Sequence, residues 1–124
     1  VIPIPPAPGG AAASADGFVA VLAQEELPRD SQRSIPLGFS RVLLCHTADG
    51  IFAVADLCPH ALQPLAGAMI ADGSIRCLKH GALFELASGK PQNGVTPHSL
   101  RVYPVRLRNG QIEIAPGTVQ PRAS

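Results

Sequence analysis

From residue 17 onward, short apolar stretches alternate with turn-forming residues, and no window of ten or more residues repeats its apolar positions at a helical period. Residues 18–23 and 41–46 are apolar runs that predict strands, and residues 24–27 predict one helical turn ended by Pro28. The pair Asp49-Gly50 predicts a tight hairpin into a strand at 51–55. Asp72-Gly73 likewise separates predicted strands at 68–70 and 74–76, Ser88-Gly89 follows one at 82–86, and Asn109-Gly110 joins 101–107 to 111–115. In that last segment Ile112 and Ile114 alternate with Gln111 and Glu113, the period of two expected where one sheet face is buried. The expectation is an all-β fold, a small sandwich or barrel of antiparallel hairpins with no internal repeat.

A chain of 124 residues fits one domain and buries enough surface to fold without staples. The 12 glycines and 13 prolines recur between apolar runs instead of pooling, which suits a turn-rich β protein. Residues 1–16 are rich in Pro, Ala, Gly and Ser with Asp16 as their single charge, so a flexible N-terminal tail is expected there, and a second tail at 118–124. A net charge of +1 gives no footprint for nucleic acid or an anionic membrane, both of which reward clustered Lys and Arg. Arg101, Arg106 and Arg108 are read as a solvated strand face. No apolar run approaches bilayer-spanning length. The first ten residues lack a basic segment and are interrupted by Pro3, Pro5, Pro6 and Pro8, unlike a secretory signal, so a cytoplasmic location is expected.

Three cysteines argue against a disulfide framework and leave the thiols free for another role. Cys45 lies in the apolar run Val42-Leu43-Leu44-Cys45 with no spaced partner and reads as a core thiol. The other two belong to a pattern. Cys58-Pro59-His60 and Cys77-Leu78-Lys79-His80 each supply a thiol and an imidazole at metal-ligand spacing, with sixteen residues between them. Each follows an apolar strand and is surrounded by turn-formers, so two loops at the ends of neighbouring hairpins would bring the four side chains together.

Zinc is the rival reading of such a set. Cys2His2 zinc sites usually draw two Cys from one element and two His from the other, with at least two residues between paired ligands. Here each loop gives one of each, and only Pro59 separates Cys58 from His60. Mixed loops suit a binuclear centre, in which one iron takes both thiolates, the other both imidazoles, and sulfides bridge them.

These residues carry a resemblance. Cys58-Pro59-His60 and Cys77-Leu78-Lys79-His80-Gly81, followed by Leu83-Phe84 and Ser88-Gly89-Lys90, are similar to the two cluster-binding boxes of Rieske proteins, and the likeness runs over about residues 17–116. The resemblance implies a Rieske domain at 17–117. Its fold would be an antiparallel sandwich or barrel base with a small cluster-binding lobe at about 57–85. One [2Fe-2S] cluster per chain is implied, with Cys58 and Cys77 on the inner iron and His60 and His80 on the outer. High-potential respiratory members carry an extra disulfide and two hydroxyl donors at the cluster, whereas this chain has Gln63, Lys79, Ala82 and Phe84 at those places. A potential near the low end of the Rieske range, roughly −150 mV, is therefore expected. Leu62 and Leu65 are candidates for an apolar floor or docking contact, and Pro97 matches a segment that shields the cluster. His46 and His98 are read as ordinary surface imidazoles.

The function implied is a monomeric, non-enzymatic one-electron carrier. It would pass electrons from an NAD(P)H-dependent flavoprotein ferredoxin reductase to a terminal aromatic-ring dioxygenase or related oxygenase, with no nucleic-acid or membrane partner. The alternative is a Rieske small subunit bound within another oxidoreductase, of the nitrite reductase type. An oxygenase in its own right also needs a mononuclear iron held by two His and a carboxylate. With the four cluster ligands set aside, only His46 and His98 remain for it.

Overall fold

The computed structural model describes residues 17–38, 40–59, 64–78 and 81–115. Its strands in chain order are β1 (Val19–Ala23), β2 (Ser31–Leu37), β3 (Ser40–Thr47), β4 (Gly50–Ala55), β5 (Met69–Ala71), β6 (Ser74–Arg76), β7 (Leu83–Glu85), β8 (Val102–Tyr103), β9 (Val105–Arg108) and β10 (Gln111–Ile114). The helical turn expected before Pro28 is a 3-10 turn, Gln24–Glu26. The strands pair antiparallel into three sheets, β1-β10-β9, β2-β3-β4-β8 and β5-β6-β7.

The order of the layers follows from β3. Val42, Leu43, Leu44 and Cys45 are all fully buried, and a strand that reads as a continuous apolar run has both faces covered. Val42 and Leu44 point into a core shared with Ile35, Ala53, Tyr103, Ile112 and Ile114. Leu43 and Cys45 point the other way, into a second core with Val54, Leu65, Ile75, Phe84 and Leu100. The sheet β2-β3-β4-β8 is thus the middle layer. On one side β1-β10-β9 completes a sandwich, and on the other β5-β6-β7 and its loops form a lobe. Each fully buried Leu, Ile, Val or Phe contributes about 1.5–3 kcal/mol, so the two cores together hold the three layers in place.

Three local features differ from the pattern-based expectation. The hairpin between β3 and β4 turns at Ala48-Asp49, one residue early, because Thr47 pairs with Gly50 and the Thr47 hydroxyl accepts the Asp49 amide at 3.0 Å. By contrast Asp72-Gly73 and Asn109-Gly110 adopt positive φ at both residues (53° and 77°; 53° and 75°), as the tightest hairpins require. The strand expected over 101–107 divides at Pro104, which has no amide hydrogen to give a ladder: β8 pairs with β4, β9 with β10, and the chain crosses from the middle sheet to the outer one at the proline. Strand β2 has no counterpart in the apolar pattern. Its sequence SQRSIPL turns Ile35 and Leu37 to the sandwich core but Gln32 and Ser34 toward the lobe, and its edge position tolerates Pro36.

The basic strand face is also corrected. Arg101 and Arg108 are exposed, but Arg106 is half-buried: its Nε donates to Glu113 Oε1 at 2.6 Å and its guanidinium lies 4.3 Å from the centre of the Phe18 ring. No helix among the described residues is long and apolar enough to cross a membrane.

Candidate metal centre

Cys58 follows β4 and Cys77 follows β6. Both are buried, at 0% and 2% exposure, and both belong to the lobe core that also receives Cys45 from β3. None of the three is in a disulfide. The other two members of the sequence constellation, His60 and His80, lie outside the described residues, as do Leu62, Gln63 and Lys79. The fold therefore brings the two candidate thiolates into one core, while the imidazole half of the set rests on sequence spacing. Among the described residues alone, no three His, Cys, Asp or Glu side chains converge.

Each thiol sits at the root of a loop that the surrounding chain holds shut. In the second loop the Cys77 amide donates to the Ala82 carbonyl at 2.8 Å and the Gly81 amide donates back to the Cys77 carbonyl at 2.9 Å. Asn93 joins this loop to the segment after β7: its Nδ2 donates to the Gly81 carbonyl at 2.9 Å, and its Oδ1 accepts the Leu83 and Val95 amides, each at 3.3 Å. In the first loop the Asp56 carboxylate accepts the Leu65 and Ala66 amides at 2.7 and 2.8 Å. The base sheet reaches across as well, since Gln32 Nε2 donates to the Ala68 carbonyl at 2.9 Å and its Oε1 accepts the Gly67 amide at 2.6 Å. These four-atom amide contacts resemble one rung of a β-ladder and fix the lobe against the middle sheet.

The surrounding walls are apolar. Leu65, Ala68, Ala82 and Phe84 are buried beside the two cysteines, so Leu65 faces inward, and the positions of Ala82 and Phe84 offer no hydroxyl. Pro97 and His98 are exposed on a turn in which the Thr96 hydroxyl accepts the His98 amide at 3.2 Å. His46 is not a surface imidazole: it is half-buried, and its Nδ1 lies 2.8 Å from the Leu27 carbonyl, which makes that nitrogen the protonated donor.

Cys45 is set apart from the other thiols by its position on a strand. Burial first, and the negative charge of Asp56 second, push its thiol up from the ordinary 9.0 to about 12. The folded state thus holds the proton that the unfolded chain releases. The resulting stabilisation is complete below pH 9 and is lost as pH rises from 9 toward 12. Urea midpoints measured between pH 8 and pH 10 (roughly one unit either side of a free thiol's value) are expected to fall more steeply for the native chain than for Cys45→Ala. Parallel slopes would show that Cys45 ionises as readily folded as unfolded.

Sequence inspection singled out the thiols but not the groups that hold their loops. The Asp56-Leu57-Cys58 spacing is the sole local hint of the Asp56 clamp. Gln32 lies more than thirty residues from its partners Gly67 and Ala68, and nothing near it in the chain announces the contact.

An all-β sandwich with a side lobe holding two buried thiols on adjacent loops defines a small β module with two candidate metal-ligating cysteines. Residues 17–104 match the Rieske [2Fe-2S] domain. The chain is 30% identical over 93 residues to the anthranilate 1,2-dioxygenase ferredoxin subunit of Burkholderia cepacia, covering 75% of this chain and 86% of that protein. Among solved structures, the complex of reduced oxygenase and oxidized ferredoxin in carbazole 1,9a-dioxygenase contains a chain that superposes with a TM-score of 0.76 at 21% identity, covering 86% of this chain and 98% of that one. A nitrite reductase (NADPH) small subunit superposes with a TM-score of 0.71 at 19% identity, covering 78% of this chain and 96% of that one. The chain belongs to the Rieske [2Fe-2S] family.

Membership brings one [2Fe-2S] cluster with it, and the described residues fit that group. Two buried thiols on neighbouring loops supply thiolate donors, no disulfide competes for them, and the walls around them are apolar.

Proposed function

We propose that the chain is the ferredoxin component of a ring-hydroxylating oxygenase system, working as a cytoplasmic monomer. Cys58 and Cys77 hold one iron of the cluster in the lobe of about residues 57–85, and His60 and His80 hold the other. When bound, the cluster takes up and releases a single electron. An NAD(P)H-dependent flavoprotein reductase splits the two electrons of its nicotinamide into single ones, and the ferredoxin carries each to the terminal oxygenase. The protein itself makes and breaks no substrate bond.

The observation that carries this reading is the pair of buried thiols on two closed loops, in a chain that spans 86% of a dioxygenase ferredoxin. The nitrite reductase alternative has support in fold alone, at 19% identity. The lobe's surface suits brief encounters. Leu57 and Leu78, each next to a ligand cysteine, are 46% and 71% exposed. Two apolar side chains beside the centre give a small contact of the kind that weak electron-transfer complexes use.

The test is a reconstitution with purified chain, a flavoprotein ferredoxin reductase, NADH and an aromatic-ring dioxygenase. Product formation is expected to depend on the chain. Leu78→Glu is expected to lower turnover about tenfold, the worth of one apolar contact of about 1.4 kcal/mol, with its visible spectrum unchanged. A cluster that the reductase cannot reduce, or a chain obtained only in a fixed complex with another oxidoreductase, would remove the carrier reading.

A further inference from the structure

A carboxylate just before a thiolate ligand is a costly choice, because it sets one negative charge beside another in a buried region. Asp56 is such a group: it stands two residues before Cys58 and is only 8% exposed. Its hydrogen bonds show part of what is gained. Oδ1 accepts the Leu65 and Ala66 amides at 2.7 and 2.8 Å, so one oxygen gathers the far end of the loop that begins at Leu57. Oδ2 accepts the Ser34 hydroxyl at 2.5 Å, and the Asp56 amide donates to the Arg41 carbonyl at 3.0 Å. Arg41 in turn donates from Nε to the Ser34 hydroxyl at 2.9 Å and from Nη2 to the Ser34 carbonyl at 3.2 Å. The guanidinium is exposed and reaches the carboxylate only through that hydroxyl, so its compensation is indirect and open to solvent screening.

A neutral side chain would hold the same amides. Asparagine offers Oδ1 to Leu65 and Ala66, and its Nδ2 can donate to the Ser34 oxygen. Loop closure therefore does not account for the charge. The charge is felt in the lobe core, since it helps to raise the Cys45 thiol, and Cys45 shares that core with Cys58 and Cys77. A negative charge held there opposes the arrival of an electron, and net charge and burial are among the quantities that set the potential of an iron–sulfur centre.

We propose that Asp56 is a positioning residue that also sets the potential: it closes the loop carrying Cys58 and His60, and its buried charge holds the reduction potential of the cluster down. This rests on the Rieske site assigned above and adds a second cause to the lack of hydroxyl donors at Ala82 and Phe84.

The experiment compares the native holoprotein with Asp56→Asn and Arg41→Gln by iron and labile-sulfide analysis, visible and paramagnetic resonance spectra, and protein-film voltammetry at low ionic strength. Asp56→Asn is expected to keep its iron, sulfide and spectra while its equilibrium constant for reduction rises about tenfold, which is about 59 mV for a one-electron couple. Arg41→Gln removes the compensating cation and is expected to move the potential the opposite way by a smaller amount. An Asp56→Asn protein with native iron content and native potential overturns the proposal and leaves Asp56 a loop clamp alone. Should that variant lose its cluster, the direction of the Arg41→Gln shift decides, and no shift or an upward one overturns the proposal. Native protein without iron or sulfide would instead end the site assignment, independently of Asp56.

Discussion

Cys58→Ser and Cys77→Ser are each expected to leave a colourless protein, with iron and labile sulfide at background and no electron transfer from reductase to oxygenase. The reason is the scarcity of donors. One iron needs two thiolates, and the chain has one other thiol, Cys45, which is fully buried on β3 and pushed up to about 12, far from the ionised state a metal requires. It also belongs to a paired strand, opposite Gln32 and Phe52, so it cannot move to a vacated position without breaking the middle sheet. His60→Ala and His80→Ala are expected to have the same outcome, because an imidazole lost from the second iron has no replacement in His46, which is committed to the Leu27 carbonyl at 2.8 Å. Cys45→Ser serves as the control and should retain the cluster. Iron analysis with visible absorption reads all five variants beside the native protein. Full iron in Cys58→Ser or Cys77→Ser would strike that residue from the ligand set, and a colourless native protein containing zinc would replace the assignment altogether.

The parts of this molecule that depend on neighbouring residues could be read from the sequence, and those that depend on distant ones could not. Asp72-Gly73 and Asn109-Gly110 announce their hairpins because the turn is a property of the two residues themselves. The all-β class follows from the absence of any helical period, and the paired Cys-His segments stand out because ligand spacing is local. Strand β2 escapes this kind of reading. Its lobe-facing positions are Gln32 and Ser34, whose partners are backbone groups at Gly67 and Ala68 and the Asp56 carboxylate, so its pattern is set by contacts more than twenty residues away. Pro104 is a related case. The residue is visible, but whether a proline ends a strand or lets it change sheets depends on which strands lie alongside, β4 before it and β10 after it.

Gly89→Ala is expected to be the most damaging single-methyl change among the described glycines, although the position lies in the turn after β7 and carries no ligand. A methyl group built there would lie 1.9 Å from the Leu100 carbonyl oxygen, 2.9 Å from its carbonyl carbon and 3.1 Å from Val102 Cγ1. The backbone φ of +77° adds the cost that any side chain meets in the left-handed region, about 1–2 kcal/mol. Relief by a small shift is blocked from both sides. The Gly89 amide donates to the Glu85 carbonyl and its carbonyl accepts the Leu100 amide, each at 2.7 Å, and Leu100 is itself buried in the lobe core with Cys58 and Cys77. Pushing Leu100 aside therefore disturbs the packing around both thiols, at a further cost of about 1–3 kcal/mol typical of overpacked cores. The total, about 2–5 kcal/mol, is a large part of the 5–15 kcal/mol that holds an ordinary domain together. A fall in Tm of at least about 10 °C is expected, with the iron content of the purified protein falling as well. Gly94→Ala is the matched control, since a methyl group there meets nothing within 4 Å, and its Tm should stay within a degree or two of the native value, as for a substitution of about 0.5 kcal/mol or less. Equal Tm values for the two variants would mean that the segment around Leu100 yields freely, and that the contact between the β7 turn and Leu100 does not brace the lobe.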